Sequence, residues 1–150
     1  MARAHERYAW VLLLALGILL ILSALFITVV AAPDEGDQLT FGVSWAELQS
    51  SEPGAARLIS FLFRILGFAW LGLALFVTVV SFTSYRRGDR WAWYALWIFP
   101  IVLGLFVATV FAVGNTALAL YYLVVVIVSL LGLLLPYRRF FPKSSASQVT

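Results

Sequence analysis

The chain has 150 residues, of which 63% are hydrophobic and 11% charged, with a mean hydropathy of +1.00. A soluble domain carries about a quarter charged residues, so this composition excludes an ordinary water-soluble globule. The net charge of +3 and pI near 9.6 do not make it a nucleic-acid binder, because the basic residues are scattered among the ends of the apolar runs.

No cysteine is present, which removes disulfides, thiolate metal sites and thiol redox chemistry. Residues 1–7, MARAHER, are polar and basic, and from Tyr8 to Ala32 there is no charge. About 20 helical residues cross a hydrocarbon layer ~30 Å thick, so this run spans with tilt. It exceeds the roughly 7–15 residues of a signal-peptide core, so it reads as an uncleaved anchor despite the small residues near Val30 and Ala32. Gly17, Ile21, Ala24, Thr28 and Ala31 form a small-residue stripe along it.

Residues 33–58 are the longest polar stretch and hold Asp34, Glu35, Asp37, Glu47 and Glu52. Ser44-Trp45-Ala46-Glu47 has capping-box spacing and predicts a short surface helix. Ser51 is a candidate N-cap, and Pro53 suits the first turn of the helix that follows. That second long helix starts near Glu52 and enters the hydrocarbon near Arg64, giving a span over about 64–85. Its seam is Ser60, Arg64, Gly67, Leu71, Ala74, Thr78 and Ser81, at alternating spacings of four and three.

Arg86, Arg87 and Arg90 surround Gly88 and Asp89 in a short basic turn. From Trp91 to Tyr137 no charge appears, far too long a run for one span, and Gly114-Asn115-Thr116 is the natural break. The spans are therefore about 91–113 and 117–135, with a kink expected at Pro100. Gly104, Ala108 and Ala112 mark the predicted packing face of the third. Leu118, Tyr122, Val125, Ser129, Gly132 and Pro136 mark that of the fourth. Residues 1–143 form one transmembrane domain, and 144–150 read as a flexible tail.

The fold class expected is an all-α, four-helix transmembrane up-down bundle. Arg3, Arg7, Arg86, Arg87, Arg90, Arg138, Arg139 and Lys143 all fall on one side of it, against Arg57 and Arg64 on the other. The positive-inside rule makes both termini cytoplasmic. The pattern Tyr85-Arg86-Arg87-Gly88-Asp89-Arg90-Trp91-Ala92-Trp93-Tyr94, followed by Leu96-Trp97 and Pro100, resembles small uncharacterised four-span membrane proteins of prokaryotes, as does the acidic first loop. That resemblance implies a bundle in the cell membrane and carries no activity with it.

Arg64 is the sharpest candidate for function, since a charge against a membrane-spanning core is costly. It lies about 31 Å of helix before Tyr85, at the outer boundary, where its stem can snorkel. Its stripe position aims it towards Tyr122 and Asn115. Glu47 and Glu52 are candidate ion-pair partners, so Arg64, Tyr122, Asn115, Glu47 and Glu52 make up the expected ligand or ion-pair site. Asp34, Glu35 and Asp37 lack the spacing of a calcium loop, and His5 alone cannot build a metal cage. Trp70 and Trp97 read as packing residues or as the lining of a cavity. No span holds a carboxylate for proton coupling, and no catalytic set, metal site or cofactor motif is evident.

The expected function is non-enzymatic: an accessory or scaffolding subunit, or a helper that binds lipid or another membrane protein. A small transporter or channel-like oligomer with an outward-facing site near Arg64 is the first alternative, and a membrane enzyme acting on lipids is the second. The expected partners are membrane lipids, another membrane protein or a second copy of the chain, with no nucleic acid and no cofactor.

Overall fold

A computed structural model of the chain describes the backbone of residues 4–30 and 42–141, with side chains from Tyr8 onward. Ala31, the acidic cluster Asp34, Glu35 and Asp37, His5 and the tail 144–150 lie outside the described residues or side chains. All regular structure described is helical: α1 (Ala4–Val30), α2 (Trp45–Ser51), α3 (Pro53–Val80), a π-helical turn (Ser81–Tyr85), α4 (Arg90–Leu96), α5 (Ile98–Ala112), α6 (Thr116–Leu134) and α7 (Tyr137–Phe140). Four segments are long and apolar enough to cross a membrane: Tyr8–Val30, Pro53–Tyr85, Arg90–Ala112 and Thr116–Phe140.

The helix ends follow local chemistry. Ser44 caps α2, its Oγ accepting from the Glu47 N–H at 3.2 Å. Ser51 does not cap α3 as its spacing suggested. Its hydroxyl instead donates to the Glu47 carbonyl at 2.8 Å, Glu52 takes the N-cap position, and Pro53 opens the helix. Gly88 (φ +90°) and Gly114 (φ +86°) turn the chain where a side chain would be strained. Asn115 caps α6 by accepting from the Leu118 N–H at 3.2 Å. The third span breaks at Trp97, between α4 and α5. This is the turn that Pro100 disrupts, because its ring crowds the carbonyl four residues back and it has no N–H to donate.

The most extensive helix contact is between α1 and α3. Gly17 lies against Thr78 and Gly67 against Thr28, so the two helices run antiparallel. A Cβ at Gly17 would meet the Thr78 backbone nitrogen at 3.1 Å, and one at Gly67 would meet that of Thr28 at 3.0 Å. The backbones approach this closely only because both glycines lack a side chain. Each threonine hydroxyl bonds back to its own helix, Thr28 to the Ala24 carbonyl at 2.8 Å and Thr78 to that of Ala74 at 2.7 Å. The pairing has a sequence basis that a search for stripes alone does not find. Residues 16–30 read LGILLILSALFITVV, and fifty positions on, residues 66–80 read LGFAWLGLALFVTVV. Glycine, alanine and threonine recur at the same spacing, so each helix offers the other the same surface in the opposite direction.

The second pair, α5 and α6, is joined by the Gly114-Asn115 turn. The predicted stripe on α6 is largely buried, with Val125, Ser129, Gly132 and Pro136 inside. The predicted stripe on α5 is not an interface. Ala108 and Ala112 are exposed, and a Cβ at Gly104 would meet nothing within 4 Å. Residues spaced strictly by four drift about 40° per step around a helix, which carries Ala108 and Ala112 away from the core. The buried side of α5 uses Phe99, Leu103 and Val110 instead.

The two pairs join at the basic end of the molecule. Gly132 of α6 packs against Leu13 of α1. Pro136 deprives the Gly132 carbonyl of its usual donor four residues on, and the Tyr85 hydroxyl supplies one at 2.7 Å. The Trp93 indole N–H donates to the next carbonyl, Leu133, at 2.9 Å. Arg90 Nε donates to the Phe140 carbonyl at 3.1 Å, and Arg139 Nη2 donates to that of Arg86. Tyr85 and Phe140, both fully buried, pack ring to ring at 4.8 Å. Tyr85 and Trp93 thereby tie this end of the molecule to α6. The sequence signal for that role is Pro136, which strips a helix end of a donor where water is scarce.

Candidate functional site

Away from the basic end the two helix pairs separate and enclose a cavity of about 650 Å³. All four long helices contribute. Ser23, Phe26 and Ile27 come from α1, Leu66 and Trp70 from α3, Phe106 and Val110 from α5, and Asn115 and Tyr122 from the start of α6 and its cap. Three rings meet in its wall. Trp70 meets Phe106 edge-on at 5.3 Å and stacks with Tyr122 at 6.1 Å, and Phe106 meets Tyr122 edge-on at 4.9 Å. The space falls within the roughly 300–1,000 Å³ of pockets that hold drug-sized molecules. Its polar groups are the Ser23 hydroxyl, the Asn115 amide and the phenols of Tyr121 and Tyr122. Among the described residues, no carboxylate, imidazole or cation lines it. Such a surface can bury hydrocarbon and direct one hydrogen-bonding group.

The expected five-residue site divides. Tyr122 and Asn115 come together in the cavity wall. Arg64 is exposed and lines a separate shallow hollow with Arg57, Ser60, Trp45 and Gln49. Glu47 and Glu52 are exposed and line neither space, and among the described residues no ion pair joins Arg64 to either of them. The geometry of α3 explains the division. Arg57, Ser60 and Arg64 lie about 120° round the helix from Phe63, Leu66 and Trp70, so a side chain on one face does not reach the other. Gly67, Ala74 and Thr78 hold the seam against α1.

Of the two tryptophans weighed as cavity residues, Trp70 lines the cavity, and Trp97 packs against Trp93 at 5.6 Å near the closed end. Phe106 and Val110 were not singled out from the sequence. They carry no polar or small-residue signal, and only the separation of the helix pairs gives them a role. Comparison with protein-family models, with curated proteins and with solved structures finds no match.

Proposed function

We propose that this is a non-enzymatic, multi-pass protein of the cell membrane that holds an apolar, lipid-like molecule in the cavity between its two helix pairs. The spans run up and down, and the basic end faces the cytoplasm. The observation that carries the reading is the cavity itself, an apolar space of about 650 Å³ with a three-ring wall and few polar groups. The arginines at the closed end support the orientation.

Passage through the protein is disfavoured. Towards the basic end the space is filled by Leu13, Leu96, Phe99, Leu103 and Leu133, all essentially inaccessible. A pocket closed on one side suits retention or presentation of a ligand rather than transport across both leaflets.

The test is native mass spectrometry of the protein released from membranes in a mild detergent, compared with an Ile27→Trp, Val110→Trp variant that fills the cavity. The wild type should carry one apolar adduct that the variant lacks. A stoichiometric protein in place of the adduct would make the chain an accessory subunit, and bare protein in both samples would remove the ligand reading.

A further inference from the structure

A second site lies at the opposite, basic end, independent of the cavity. There Tyr8 and Trp10 near the start of α1, Arg86 after the π turn and Arg139 of α7 line a hollow of about 290 Å³. We propose that this hollow binds the phosphodiester headgroup of an anionic membrane lipid.

Both guanidinium groups are held in place by the protein itself. The Arg86 guanidinium lies over the Trp10 ring at 5.0 Å and the Phe82 ring at 5.6 Å, and those two rings meet edge-on at 6.3 Å. Cation–π contacts of this kind fix the stem and leave the N–H groups available. Arg139 donates to the backbone carbonyl of Arg86 and lies beside Gly88, so the turn and α7 hold it from two sides.

Among the described residues no carboxylate lines the hollow, and Asp89 is paired with Arg87 at 3.7 Å. Arg90 is directed elsewhere, to the Phe140 carbonyl and over the Phe141 ring. Two planar guanidinium groups converging on one space match phosphate oxygens, which accept paired N–H bonds. Tyr8 and Trp10 place the hollow at the level where amphipathic rings meet headgroups.

The same arrangement selects between lipids. A zwitterionic headgroup brings its own cation into a space that already holds two guanidinium groups, which repel it. A lipid with net negative charge meets no such penalty. Arg87 and Arg138 are also exposed at this end but line no part of the hollow, so general attraction to an acidic surface and binding at the site are separable.

The experiment uses the full-length protein in mild detergent with dioleoyl phosphatidylglycerol or dioleoyl phosphatidylcholine added in turn, with retained lipid counted by native mass spectrometry. Helix content of each variant is checked by circular dichroism. The wild type should retain one phosphatidylglycerol and no phosphatidylcholine. Arg86→Gln with Arg139→Gln should weaken retention about tenfold or more, and Arg87→Gln with Arg138→Gln less than about twofold. Arg139→Lys, which keeps the charge without the planar fork, should fall between. Equal losses in the two double variants would overturn the site in favour of diffuse charge. Equal retention of the two lipids would overturn the headgroup selection. Displacement of the lipid by millimolar inorganic phosphate would reassign the hollow to a free anion.

Discussion

The two ends of the bundle are built from the same four helices and behave as opposites. At the basic end, helix-terminal carbonyls receive side-chain donors from other segments, Tyr85 to Gly132 and Trp93 to Leu133, and aromatic rings fill what remains. At the other end the α5–α6 pair stands away from α1 and α3 and a cavity remains. The α1–α3 contact is not the source of the difference, because it closes equally through Gly17 in one half and Gly67 in the other. The difference lies in what joins the second pair to the first. A membrane bundle has little hydrophobic drive to pull helices together, so the pairs meet where small residues and hydrogen bonds hold them and separate where neither is present.

That contrast can be tested by substitutions in each half. The largest effects should come from Gly17→Leu and Gly67→Leu, each costing about 2–3 kcal/mol through forced separation of α1 and α3. Reversible unfolding in mixed micelles should give similar values for the two, although they lie in opposite halves. A large difference would show that the α1–α3 contact is not uniform. Next is Tyr85→Phe, which leaves the Gly132 carbonyl without its donor and should cost about 1–3 kcal/mol in the same assay. A neutral result would mean that the closed end is held by ring packing alone.

Smaller effects are expected at the open end. Ile27→Trp fills space rather than creating strain, so stability should change by no more than about 1 kcal/mol while an apolar adduct is lost. A severe loss of stability would show that the cavity is smaller in solution than described. The smallest effect is expected for Gly104→Leu, within about 0.5 kcal/mol, because the added side chain enters open space. A large cost there would place α5 against a neighbour on its Ala108 side.

Much of the fold was legible because length, charge and hydropathy act locally. The apolar runs, the Ser44 cap, the Gly114-Asn115 turn and the packing stripes of α1, α3 and α6 follow from nearest-neighbour chemistry. The α5 stripe was misjudged because small residues at spacing four resemble a seam, whereas Phe99 and Leu103 determine which side is buried. The candidate site was only half legible. Tyr122 and Asn115 do share a wall, but Arg64 belongs to another face of α3. Trp70, Phe106 and Val110 form a cavity only through the divergence of two helix pairs, which is a property of the assembled bundle. The partnership of Tyr85 with Gly132 depends on a proline in a distant segment, so neither residue signals it alone.

The repeated surface shared by α1 and α3 bears on how the protein acquires its direction in the membrane. Two helices that present the same glycine, alanine and threonine to each other in opposite senses form a contact that survives inversion of the pair. Turned over, it would close just as well. The α1–α3 contact by itself therefore carries no vectorial information. Moving Arg86, Arg87 and Arg90 to the loop before α3 would leave five basic residues on either side, which should abolish the charge bias while the α1–α3 interface stays intact.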